Sequence, residues 1–285
     1  MPIIKNLNLR IFKLKSRGLY MTKQKSVKGL LIYLFISIIA MFFLYLIGLS
    51  ILLTNPTELE QLSEMMGISG PPGILALLAV TPNFIIIIVV LVIGFFTAHK
   101  VGLKSVVIHP NARVKSKSDW INGIKLAMIL GSIAAAVVIG FDYFFQSYLP
   151  DSLIETLQPY SALHFISALL YGGIVEELIM RFGVMSLLVF IFWQLFNRKS
   201  EKPTNWVFIL AIFISALLFA LGHYSATANM TEMTAFIWFR MILLNSIGGL
   251  FFGWIYWKHN LELAMLAHMF AHIVMHLIML VITFS

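Results

Sequence analysis

The chain has 285 residues, 60% hydrophobic and 11% charged, against the roughly 45–50% apolar and 25% charged usage of soluble domains, so it belongs in a bilayer. Cysteine is absent, which excludes disulfides, iron–sulfur clusters, thiolate zinc sites and cysteine nucleophiles. A net charge of +8 invites a nucleic-acid partner, but eight of the 20 Lys+Arg residues (Lys5, Arg10, Lys13, Lys15, Arg17, Lys23, Lys25 and Lys28) precede the first apolar run, and no basic-aromatic constellation follows. No nucleic acid is expected.

Residues 1–28 form a basic juxtamembrane arm. Ile3, Ile4, Leu7, Ile11, Phe12 and Leu14 interleave with Lys5, Arg10, Lys13 and Lys15. That pattern suits an amphipathic helix lying on anionic lipids, and equally a disordered basic tail. No small-residue cleavage site follows the first apolar segment, so that span is expected to stay in the mature protein.

A membrane-crossing helix needs about 20 mainly apolar residues. The qualifying windows run near 29–53, 74–98, 120–146, 161–197, 206–222, 235–257 and 261–284. The fold class is therefore an all-α polytopic transmembrane bundle of seven spans, or eight if the long 161–197 stretch divides. Pro82 lies within the second window, where it can kink the helix. Gly249 and Gly253 form a GxxxG pair of the kind that lets helices approach closely.

Loop charges alternate in sign. Glu58, Glu60 and Glu64 follow the first window, then Lys100, Lys104, Arg113, Lys115 and Lys117, then Asp151 and Glu155, then Arg198, Lys199 and Lys202. The positive-inside rule puts the N-terminus in the cytoplasm of a multi-pass cell-membrane protein.

Charges inside such windows cost roughly 2.5–3.5 kcal/mol each, so they should face a protein interior or a wet cavity and have partners. The run Tyr171-Gly-Gly-Ile-Val-Glu176-Glu177-Leu-Ile-Met-Arg181 holds three. Glu177 and Arg181, four apart, can pair on one helix face. Glu176 points about 100° away and has no partner in its own helix. It suits a general base, although an ion-pair network that only fixes packing explains the segment as well.

Downstream, Phe219-Ala-Leu-Gly-His223 puts a histidine at a helix end with an aromatic one turn earlier. His268-Met-Phe-Ala-His272-Ile-Val-Met-His276 then forms a stripe at i, i+4 and i+8. The spacing suits two ligands of one metal, but Met269 occupies the place of the Glu in HExxH helices. It also suits donors to an oxyanion. His276 reads as a packing residue. Asp142, His164, Arg240 and Asn245 are scattered singly through apolar sequence, and His99, His109 and His259 fall in loops.

In this order, Glu-Glu-x-x-x-Arg, Phe-x-x-x-His and His-x-x-x-His on apolar helices resemble the CPBP family of CAAX-processing and bacteriocin-processing membrane proteases, also called Abi, and its type II CAAX prenyl endopeptidases. The resemblance covers about 160–285. It implies a catalytic core there, preceded by N-terminal transmembrane helices over 29–159. It further implies that Glu176 and His223 activate water, that Glu177 and Arg181 support them, and that His268 stabilises the oxyanion. His272 stands where the family commonly has Asn; a neutral imidazole can donate one hydrogen bond as an amide does, and it adds a metal ligand.

A metal-free glutamate mechanism is the favoured expectation. The zinc alternative would use Glu176, His223, His268 and His272. Membrane-anchored or hydrophobic peptides are the expected substrates. The rivals are a non-catalytic immunity factor or scaffold of the same fold, and a transporter. At about 1.5 Å per residue, His223 lies about 26 Å along its helix from Trp206 and His272 about 21 Å from Lys258, so these two can meet. Glu176 would lie about 33 Å from Arg198, which strains a single straight crossing.

Overall fold

The computed structural model describes the backbone of residues 2–109, 116–154, 161–196 and 198–284, with side chains from residue 27 to 282 within those segments. The side chains of the basic arm before Val27, together with Arg113, Lys115 and Glu155, lie outside the described residues. Among the described residues there is no strand. Seven helices are long and apolar enough to cross a membrane: Val27–Thr54, Pro72–Val101, Lys117–Phe144, Ala162–Phe196, Asn205–Ala228, Ala235–Lys258 and Leu261–Ile282. This is a multi-pass helical membrane protein, and its spans are numbered here in that order.

The ends of the spans follow from local chemistry. Ser116, Ser161 and Thr234 accept hydrogen bonds from Asp119 N–H, His164 N–H and Ile237 N–H, capping the third, fourth and sixth spans. Asn260 does the same for Leu263 N–H at the start of the seventh. A short helix, Pro56–Met66, follows the first span; Asn55 caps it and Gly67 ends it at φ 65°. Leu31, Phe35, Ile85, Ile86, Val89, Ile129 and Phe213 are exposed on the outside of the bundle, where lipid replaces water as the favourable solvent.

The question of one span or two over 161–197 resolves as one element with an unusual winding. Ala168–Glu176 and Leu178–Met185 are π-helical, between an α-helical start at Ala162–Ser167 and an α-helical end at Ser186–Phe196. In a π turn the hydrogen bond closes i→i+5; Ser186 N–H reaches back to Arg181 O, for example. Each such turn takes more residues for less length. Thirty-five residues therefore form one span, and the strain expected of a straight α-helical crossing is relieved.

One continuous buried core includes Tyr33 and Met41 of the first span, Leu91 of the second, Ala127 of the third, Phe182 of the fourth, Phe208 of the fifth, Phe252 of the sixth and Ala267 of the seventh. The GxxxG pair packs as its spacing predicts. A methyl on Gly249 would lie 2.8 Å from Ala216 Cβ, and one on Gly253 3.1 Å from Ile212 Cγ2, so the fifth and sixth spans touch backbone to backbone there. Cross-links mark the two ends of the bundle. At one, Leu261 N–H donates to Lys104 O, joining the seventh span to the basic 101–108 segment. At the other, Phe141 and Phe145 of the third span pack on Phe236 of the sixth.

Candidate active site

The π-wound span carries the two glutamates and Arg181. Glu177 and Arg181 are fully buried, with Arg181 Nε 3.2 Å from Glu177 Oε2. Single-span geometry anticipated this pair; its other neighbours come from elsewhere in the chain. The guanidinium lies over the rings of Phe219 and Phe252, 5.2 and 5.8 Å from their centroids, and aromatic faces offset part of the cost of burying a cation.

The other Glu177 oxygen faces His268, whose Nδ1 is 3.0 Å from Oε1. A carboxylate can only accept, so this Nδ1 carries a proton and Nε2 is turned the other way. His268 Nε2 lies 3.9 Å from Glu176 Oε2, beyond a hydrogen bond but within electrostatic reach. The His268 ring is held from both sides: Phe252 stacks on it at 4.6 Å and 19°, and His272 at 5.0 Å and 18°.

His223 ends the α-helical part of the fifth span, Asn205–Gly222. Its Nδ1 is 2.9 Å from Phe219 O. A carbonyl also only accepts, so Nδ1–H donates and the neutral ring keeps a lone pair on Nε2. Phe219 meets this ring edge-on at 4.7 Å.

Glu176, His223, His268 and His272 line one cavity of about 410 Å³. Glu176 is the partly exposed carboxylate of the pair, its side chain 21% accessible. Glu176 and His223 also line a second cavity of about 330 Å³ with Ile179, Met180 and Ser225. They form part of the wall between the two. His272 is admitted by the sequence of the fourth span: a methyl on Gly172 would sit 2.6 Å from His272 Nε2.

Residues 158–274 match the family model described as type II CAAX prenyl endopeptidase Rce1-like. This segment, less than half of the chain, is similar to the CPBP/CAAX protease family. Neither a curated protein nor a solved structure matches the chain. The activity that this description names is that of an endopeptidase.

The residues of the zinc alternative, Glu176, His223, His268 and His272, share one cavity. Among the described residues, no three His, Asp or Glu side chains are grouped so as to hold a metal ion. His268 Nδ1 is directed at Glu177 and His223 Nδ1 at a carbonyl, so Nε2 alone of each ring is free for a ligand. A ring N–H held by a carboxylate or a carbonyl is also how a metal-bound histidine is oriented.

Two expectations for the other polar residues need different treatment. His276 stacks on Phe165 at 4.5 Å, in line with packing. Asp142 and Arg240, in contrast, are not scattered singly. Arg240 Nε and Nη2 donate to the two Asp142 oxygens at 2.7 and 2.5 Å, joining the third and sixth spans across 98 positions of sequence. Arg240 lines the larger cavity. The signal was the cost of a lone charge in a span, which demands a partner. Phe252 and Tyr171, which also line this cavity, carry no sequence signal beyond being aromatic.

Proposed function

We propose that this protein hydrolyses a peptide bond of a membrane-anchored or hydrophobic peptide, using water activated by Glu176 with His223. The observation that carries this reading is the placement of Glu176 and His223 between two cavities. A peptide occupying both would cross the wall at the one point where a carboxylate and an imidazole lone pair flank it.

The chemistry balances with the residues present. Water donates one hydrogen bond to His223 Nε2 and gives a proton to Glu176 as its oxygen attacks the carbonyl carbon. The carbonyl π pair moves to oxygen. With both ring nitrogens protonated, His268 presents Nε2–H to that oxyanion while Nδ1–H stays on Glu177, and His272 adds a second N–H. Charge alternates along Arg181, Glu177, His268 and Glu176 before attack, and afterwards the oxyanion carries the negative charge that Glu176 has lost. Collapse of the tetrahedral intermediate breaks the C–N bond, and the Glu176 proton passes to the leaving amine.

The matched family's description names prenyl substrates. For this chain the proposal is the broader class, a peptide held near the bilayer by any apolar anchor. It includes a cytoplasmic N-terminus with the basic arm against anionic lipid headgroups.

Reconstituted protein and a labelled membrane-inserting peptide test the reading. Glu176→Gln should lower turnover by about 10²–10⁴-fold with unchanged folding, the usual range for losing a general base. Unchanged processing by this variant would leave the protein a binding scaffold of the same fold, and solute flux without cleavage would make it a transporter.

A further inference from the structure

Beyond the water-activating end, the larger cavity has a polar wall that the proposed hydrolysis does not use. It consists of Arg240 and Asn245 on the sixth span. Asp142 stands behind Arg240 and is almost completely buried. Its bidentate hold takes one hydrogen each of Nε and Nη2 of Arg240, leaving the two hydrogens of Nη1 and one of Nη2. Asn245 Nδ2 donates to Met241 O at 2.8 Å, which leaves the Asn245 carbonyl oxygen as an acceptor. One donor group and one acceptor, about 7.5 Å apart along the helix axis, therefore line the same cavity from one helix.

The spacing to the reaction centre can be read along the same helix. Arg240, Leu244, Gly248 and Phe252 all line the cavity at steps of four, and Phe252 stacks on His268. Twelve residues of helix span about 18 Å. An extended peptide advances about 3.3–3.6 Å per residue. Arg240 thus meets a bound chain roughly five residues from the bond under attack.

The charge balance selects what is bound there. Asp142 already neutralises Arg240, so a carboxylate arriving at Nη1 would bring an uncompensated negative charge into a low-dielectric cavity. A peptide carbonyl brings none. We infer that Arg240, oriented by Asp142, and Asn245 form a subsite that binds the backbone of an extended peptide, carbonyl to Nη1 and N–H to the Asn245 oxygen, without requiring a chain terminus. This rests on the proposed hydrolysis of a peptide in the same cavity.

The test uses the full chain in nanodiscs and a labelled apolar peptide of about twelve residues made as the free acid and as the C-terminal amide. Affinity is measured on the Glu176→Gln protein and turnover on the protein with Glu176 intact. Arg240→Gln should weaken binding of acid and amide equally, by about 10-fold or more, the scale of one charge-assisted hydrogen bond. It should raise KM and leave kcat within about twofold. Because Arg240→Gln strands a buried carboxylate, Asp142→Asn/Arg240→Gln is the second variant; it should regain thermal stability and keep the binding loss.

Weakening confined to the free acid would overturn the inference in favour of a terminus-reading site. Unchanged affinity in the double variant would reduce the pair to a tie between helices. Arg240-dependent binding without any cleavage when Glu176 is intact would support the subsite and remove the protease reading. Cleavage with a KM indifferent to Arg240 would do the reverse.

Discussion

Two partly or fully buried glutamates hold the bundle together at different places, and they are held in opposite ways. Glu262 Oε1, at the start of the seventh span, accepts from Tyr33 Oη at 2.7 Å, Ser105 Oγ at 2.7 Å and Val107 N–H at 2.9 Å. All three donors are neutral, and they come from the first span and the 101–108 segment. Glu177 is approached instead by a guanidinium and an imidazole, and its sequence neighbour Glu176 opens into a cavity. Neutral donors from several segments make a carboxylate a clamp. A guanidinium and an imidazole beside a second, accessible carboxylate make a site in which protons and charge can be redistributed.

That contrast is broken most severely on the catalytic side. Glu176→Gln and Glu262→Gln should differ by two orders of magnitude or more in turnover per folded molecule, since only the first removes a general base. Comparable losses in turnover, measured in one proteoliposome assay, would mean that the two carboxylates are not different in kind.

Next in size is the buried ion pair. Arg181→Met leaves Glu177 charged and fully buried beside only an imidazole, and breaking such a pair costs about 3–5 kcal/mol. Thermal unfolding in detergent should show this as a large loss, and Glu177→Met/Arg181→Met should recover much of it. Turnover should not return in the double variant, because His268 Nδ1 has then lost its acceptor. Full activity in that variant would reduce the pair to a packing device.

Glu262→Gln sharpens the other side of the comparison. Hydrogen bonds to a charged group are worth about 1.5–3 kcal/mol each, and the amide oxygen can keep some of them, so about 1–3 kcal/mol of stability should go. Turnover per folded molecule should stay the same.

The difference between the two clusters was only half legible in the sequence. Glu176, Glu177, Arg181, His223, His268 and His272 stood out because a polar group in an apolar helix has to be accounted for, and the spans themselves followed from length and hydropathy. The Glu262 clamp was not legible, since its donors lie more than 150 positions away. Asp142 and Arg240 were each visible as charges but not as a pair, because no helical spacing links residues on different spans. The π winding was hidden for another reason. The span is apolar nearly all round, so a longer turn has no polar–apolar period to disturb, and a span that takes up extra residues looked like a length that might divide in two.

Gly172 is where that hidden winding meets the site, and it carries the smallest of these effects. Its missing side chain is the space that His272 fills, since a Cβ there would lie 2.6 Å from Nε2. Gly172→Ala must displace the imidazole by several tenths of an ångström or more, while alanine remains a better helix former than glycine by about 1 kcal/mol. Stability should therefore hold or rise slightly as turnover falls, by about 10-fold if His272 supplies one oxyanion hydrogen bond of ordinary strength. A fall of kcat at constant KM would place that hydrogen bond in the transition state. If Gly172→Ala in a His272→Ala background costs nothing further, the glycine acts through His272; an equal loss in both backgrounds would instead assign it to the packing of the fourth span on the seventh.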